Sequence, residues 1–107
     1  MRPKNWQPDI FREKYSIIRR NYRYRRAEAD IIAQDGLTLV FIEVKARTSL
    51  QYGQPFEAVG RDKQDRLRRI ALAFLKRAGR ELPVRFDVIS IVVSGGKRQI
   101  EHIEGAF

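Results

Sequence analysis

From Leu37 to Lys45 the chain reads LTLVFIEVK, a run of β-branched and aromatic side chains that predicts a strand. The denser run VRFDVISIVV, from Val84 to Val93, predicts another, and Arg98 to Ile103 a final edge strand after the turn Ser94-Gly95-Gly96. A further strand is expected from Tyr22 to Ala33. Asp35-Gly36 joins it to Leu37 as a hairpin, because glycine accepts the positive φ of a tight turn. Helical spacing replaces strand spacing at Leu67, Ile70, Ala71, Phe74 and Leu75. This predicts a helix over about 62–78, capped by Asp62 and stopped by Gly79. A shorter helix is expected over 10–20, with Asp9 as N-cap and Ile10, Phe11, Tyr15, Ile17 and Ile18 buried; part of that segment reads equally as extended chain. Residues 1–9, with two prolines, read as an irregular arm, and residues 46–60 as a loop with a short turn near Phe56–Val59. The order predicts an α/β or α+β domain, a mixed sheet with helices against it. A chain of 107 residues supports a single core, so residues 1–107 are read as one domain.

Charge changes this picture more than composition does. Hydrophobic residues are 43% of the chain, as in folded proteins, and cysteine is absent, which excludes disulfides and thiolate zinc sites. His102 is the single histidine and is read as structural. No apolar run approaches a membrane span, so a cytoplasmic protein without a membrane partner is expected. Lysine and arginine number 22 against 13 acids, a formal charge of +9. Arg19, Arg20, Arg23, Arg25 and Arg26 crowd one segment around Tyr22 and Tyr24; Arg61, Lys63, Arg66, Arg68 and Arg69 open the later helix. Arginine forks match phosphate oxygens and stack on flat rings, so this distribution points to a polyanion, most commonly nucleic acid. A merely solvated basic surface is the plain alternative.

Against that background the carboxylates of AEADIIAQDGLTLVFIEVKART stand out. Side chains two residues apart on a strand share a face, so Glu43 and Lys45 point the same way. If Asp35-Gly36 is a two-residue turn, Gln34 faces Leu37, Asp30 faces Phe41 and Glu28 faces Glu43. All three acids and Lys45 then share one face, and a one-residue slip separates them. Opposed carboxylates repel, so they call for a raised pKa, a neighbouring cation or a bound ion. Asp30 and Glu43 would suit Mg²⁺ or Mn²⁺, with Lys45 beside the ion to stabilise charge on a phosphate or hold a water. Ion pairing of Glu28 and Asp30 with Arg26, Arg47 or Lys45 is the simpler alternative. Asp87 is read as an arginine partner and Glu57 as a cap of the turn after Pro55.

NYRYRRAEADIIAQDGLTLVFIEVKART, then YGQPFEAV, KQDRLRRIALAFL, RFDVISI and the terminal IEHIEGAF, resemble the YraN-type family of small bacterial proteins, over about residues 15–107. That family is similar to restriction-endonuclease-like nucleases, Holliday-junction resolvases in particular. The resemblance implies a restriction-endonuclease-like core with its mixed sheet flanked by helices. It also implies a D…E-x-K signature on Asp30, Glu43 and Lys45, with Glu28 in the Glu position of a G-E-I-D motif. Here that motif is Ala27-Glu28-Ala29-Asp30. The further Glu of the family's first helix falls near Pro3, where there is none, and Glu13 does not match it; a shortened first helix is therefore expected.

The combined expectation is a nucleic-acid-binding protein of nuclease-like fold that hydrolyses DNA with Mg²⁺ or Mn²⁺. Asp30, Glu43, Lys45 and Glu28 are its expected catalytic residues, and Arg19, Arg20, Arg23, Arg25, Arg26, Arg47, Lys63 and Arg66 its expected phosphate contacts. A catalytically degenerate binding module and a basic protein-interaction domain are the alternatives. A homodimer is also expected, since cutting two strands takes two sites.

Overall fold

The computed structural model describes residues 15–48 and 59–107. Among them, five strands form one sheet in chain order: β1 (Ser16–Tyr24), β2 (Ala27–Asp35), β3 (Thr38–Arg47), β4 (Val84–Ser94) and β5 (Lys97–Ile103). β1, β2 and β3 form an antiparallel meander, and β5 returns antiparallel to β4. β3 and β4 run parallel, so the chain must cross between them, and helix α1 (Arg61–Ala78) lies in that crossover. This is the mixed α/β architecture that the sequence pattern and the resemblance imply.

The expected arm at 1–9, the first part of the expected helix, Glu13, Glu57 and most of the turn near 56–59 lie outside the described residues. Ser16 to Arg20, expected as helix, belong to β1. The β-branched pair Ile17 and Ile18 suits a strand whose alternation sends the two side chains to opposite, apolar faces, and a bulge lies between Ile17 and Arg19. The β2–β3 turn also differs from expectation. Asp35 pairs with Thr38, so the turn residues are Gly36 and Leu37, and the register moves by two residues. Gly36, at φ 61°, takes the first central position, which type II′ turns reserve for glycine.

α1 starts after Gly60, which offers no side-chain cap, so Asp62 lies inside the first turn and complements the helix dipole there. Gly79, at φ 68°, ends the helix in the left-handed conformation, donating to the carbonyls of Leu75 and Lys76. Leu67, Ile70 and Ala71 of α1 pack on Ala29, Ile32, Leu39 and Phe41. On the opposite face, Ile31, Ala33, Val40, Ile42, Ile89 and Ile91 form a second buried cluster with Tyr15.

Below that second cluster lies a polar clamp. Asp87 is fully buried on β4, and Arg85 grips it through Nε and Nη2 at 2.9 and 3.0 Å. His102 Nε2 lies 2.7 Å from Asp87 Oδ2, and the Gly105 N–H donates to Oδ1. Arg85 also reaches Asp35 at 3.1 Å and Tyr15 at 2.8 Å. Burial alone would raise the Asp87 pKa, but the His102, Arg85 and Gly105 hydrogen bonds outweigh it and hold the carboxyl below its ordinary value. Both Asp87 and His102 are thus structural, as the sequence reading had them.

Candidate functional site

The strand pairing that builds the core fails at one place. β2 and β3 are paired from Asp35–Thr38 as far as Ile31–Ile42, and no further. β2 also changes face there. Ala33 and Ile31 belong to the cluster opposite α1, whereas Ala29 and Ala27 pack on the helix side. Strict alternation would keep all four together. The irregularity is shared with β1, where Asn21 sits at φ 52° between the pairs Arg20–Ile31 and Tyr22–Ala29. Asparagine is among the few residues that tolerate this conformation.

Asp30 occupies the fork. Its Oδ2 accepts the N–H of Val44 at 2.8 Å, so a side chain replaces the ladder bond that the diverging strand no longer offers. Glu43 lies beside it on the α1 side of β3, 5% exposed. Lys45 Nζ is 3.7 Å from its Oε1 and Lys63 Nζ, on α1, is 3.5 Å from its Oε2. Among the described residues no hydrogen bond reaches Oε2, which is fully buried. Burial and then the nearby Asp30 charge push the Glu43 pKa above the ordinary carboxylate value, against the pull of Lys63 and Lys45. Lys63 also donates to the Glu28 carbonyl at 3.2 Å, tying α1 to β2 at the fork.

Asp30, Glu43, Lys45 and Lys63 are therefore brought together, but Glu28 is not. Its side chain meets Arg23, the residue opposite it on β1, at 3.3 Å. Its neighbours Ala27 and Ala29 face α1, so alternation turns Glu28 away from Glu43. The shared-face arithmetic assumed unbroken alternation through Asp30, and the face change defeats it.

Among the described residues no three acidic or histidine side chains converge on one point. Two carboxylates still suit Mg²⁺, which keeps several waters and binds proteins through one or two carboxylates. Asp30 Oδ1 and Glu43 Oε2, the latter covered by Lys63 at 3.5 Å, are the oxygens that would hold such an ion.

The expected phosphate contacts divide by position. Arg25 and Arg26 form the β1–β2 turn and converge with Arg66 of α1 on one cleft. Arg19 and Arg20 lie exposed along β1, with Arg19 Nη1 donating to the Ile18 carbonyl. Arg47 ends β3, and Lys63 is turned inward to Glu43. Ser90 was not anticipated. It is 1% exposed on β4, opposite Lys45 and on the α1 side, and among the described residues its Oγ has no hydrogen bond. A lone serine inside VRFDVISIVV was its only trace in the sequence.

Comparison with known proteins agrees with the earlier resemblance. The chain matches the family described as Uncharacterised protein family UPF0102 over residues 10–91. A UPF0102 protein of Geobacter metallireducens is 50% identical over 97 residues, covering 90% of this chain and 80% of the relative. Relatives from Prosthecochloris aestuarii and Rhodococcus jostii are each 48% identical, covering 87% and 85% of this chain and 79% of their own lengths. With most of both chains aligned at about half identity, this protein belongs to the UPF0102, or YraN-type, family.

Proposed function

We propose that this protein binds nucleic acid through its basic surface and hydrolyses DNA phosphodiesters at the β2–β3 fork. One observation carries the reading. A nearly fully buried carboxylate, Glu43, has an oxygen without a hydrogen bond among the described residues, and Asp30 beside it adds like charge. Such an arrangement is costly unless it serves a cation or a proton.

Asp30 and Glu43 would hold a divalent ion, Mg²⁺ or Mn²⁺. When bound, that ion supplies an acidified water and polarises a phosphoryl oxygen. The Val44 N–H fixes the Asp30 carboxylate, leaving Oδ1 to turn to the ligand. Lys45, about one-third exposed, reaches from Glu43 toward solvent, where its ammonium can stabilise charge developing on a phosphate. Lys63 holds Glu43 against α1, and Ser90 offers a hydroxyl on the Lys45 side. Glu28 acts only through Arg23 and the β1–β2 surface in this geometry. Arg25, Arg26 and Arg66 contact backbone phosphates.

The test is incubation of the metal-free protein with branched, duplex and single-stranded DNA plus Mg²⁺ or Mn²⁺. Cleavage should appear with metal and vanish in Asp30→Ala and Glu43→Ala. Cleavage that survives both substitutions rules the assignment out. A second reading, a binding module without turnover, is favoured by one contact: Lys63 already supplies Glu43 with a positive charge. It predicts strongly salt-dependent binding, because neutralised phosphates release counterions, and no cleavage with any metal.

A further inference from the structure

We propose that the cleft between the β1–β2 turn and α1 binds an unpaired nucleotide, its phosphate held by Arg26, Arg66 and Arg69 and its base stacked against Tyr24 and Arg25. The proposal rests on the nucleic-acid reading above and adds a substrate feature to it: single-stranded character beside the fork.

The cleft has a volume of about 370 Å³ and is lined by Tyr24, Arg25, Arg26, Ala27, Arg66 and Arg69. It continues along α1 past Leu72 and Ala73 to Lys76. Arg66, Arg69, Ala73 and Lys76 follow helical spacing and form one stripe, separate from the buried stripe of Leu67, Ile70 and Ala71. Among the described residues no carboxylate pairs with Arg25, Arg26, Arg66, Arg69 or Lys76, and Asp65 of the same helix is engaged by Arg68 instead. Of the excess of nine positive charges in the chain, five cations thus gather around one concavity.

The turn supplies a second, independent observation. Tyr24 pairs with Ala27, so Arg25 and Arg26 are the two turn residues, and Arg25 sits at φ 57°. Glycine is the residue favoured there, as at Gly36 in the neighbouring turn. An arginine in this conformation carries backbone strain, which proteins retain chiefly where a side chain must be aimed. Here it is aimed over the Tyr24 ring, 5.4 Å from the centroid.

Ring and guanidinium together select the ligand. A phosphate alone, or an acidic peptide, would use the arginine forks but not the exposed part of the Tyr24 ring, which otherwise packs on the core. A paired base keeps its faces inside the stack, whereas an unpaired base offers them to an aromatic or a guanidinium plane. The position is also suitable. Lys63, at the fork, precedes Arg69 by six residues, about 9 Å along the helix axis, within a nucleotide or two of Glu43.

The test is fluorescence anisotropy in EDTA, with labelled oligothymidylate, a blunt duplex of equal length, and heparin as competitor. Arg66→Ala/Arg69→Ala should weaken oligothymidylate binding at least about tenfold and flatten its salt slope by about 1.4, two contacts' worth on a single strand. Tyr24→Leu should cost about fivefold or more on oligothymidylate and leave the duplex within about twofold. Because Tyr24 also touches the core, Arg25→Gly provides a second variant: it should raise the melting temperature while weakening oligothymidylate binding. An unchanged slope overturns the proposal, as does equal weakening on both DNAs, or heparin displacement with Tyr24→Leu and Arg25→Gly silent, which would indicate an acidic partner. EDTA suppresses hydrolysis, so a failed cleavage test leaves this result standing. Wild type that ignores all nucleic acid sinks both readings; wild type that prefers blunt duplex sinks this one alone.

Discussion

Glu43→Gln should stabilise this protein while removing its response to divalent ions. The substitution keeps the shape of the side chain and deletes its charge. Removing a carboxylate from water costs several kcal/mol, and Glu43 is 5% exposed with one oxygen lacking a hydrogen bond. Lys63 at 3.5 Å and Lys45 at 3.7 Å would each return about 4–5 kcal/mol at an effective dielectric constant of about 20. Both lysine side chains are about one-third exposed, so solvent screens much of that return, and Asp30 opposes it. The direction of the Glu43 pKa gives the sign of the remainder: the charged form is disfavoured in the fold. Replacing such a charge by a neutral isostere should gain on the order of 1 kcal/mol, which is about 4–8 °C in a domain of this size. The assay is differential scanning calorimetry in EDTA and in saturating Mn²⁺. Wild type should gain about 2.7 kcal/mol at a hundredfold excess of ion over Kd, and Glu43→Gln much less. A Glu43→Gln protein that melts lower than wild type in EDTA, with an equal Mn²⁺ response, would refute the reasoning.

Asp87→Asn should destabilise by about 3 kcal/mol in chemical denaturation, because Arg85 loses a buried counter-charge. The Asp87 pKa is depressed in the fold, so its contribution is present above the ordinary value of 3.8 and disappears as pH falls through the folded pKa. Wild type should therefore lose stability more steeply than Asp87→Asn below about pH 4, as read by pH-dependent unfolding. Lys45→Ala should lower cleavage about a hundredfold in single-turnover assays with binding nearly intact, since its proposed role arises as phosphate charge develops. Arg25→Gly should raise the unfolding free energy by about 1 kcal/mol in a urea titration, through relief of the positive φ at the turn.

The regular parts of the fold were legible because they follow single periodicities. Leu67, Ile70 and Ala71 repeat at helical spacing and form the buried side of α1. LTLVFIEVK and VRFDVISIVV became the adjacent parallel strands β3 and β4. Ile17 and Ile18 misled because adjacent apolar side chains fit a helix face as well as a strand covered on both faces, and only the pairing with β2 decides between them. The turn misled by one position because Gly36 serves either a type I′ turn as its second residue or a type II′ turn as its first.

The candidate site was legible in which residues come together and illegible in how they do so, for a physical reason. Asp30, Glu43 and Lys45 were picked out by their chemistry, and they are the groups that meet. Their expected meeting depended on a regular hairpin, whereas the observed one depends on the hairpin ending. The register moved by an even number of residues, which by itself leaves faces unchanged. The face change at Asp30, matched by Asn21 at positive φ, is what separates Glu28 from the group. It also frees the Val44 N–H for the Asp30 carboxylate. A fully paired ladder would have satisfied that N–H with backbone and left Asp30 as one more opposed charge. The irregularity thus converts a repulsive cross-strand pair into a fixed carboxylate beside a buried one, and Asn21 belongs to the construction of the site as much as Asp30 does.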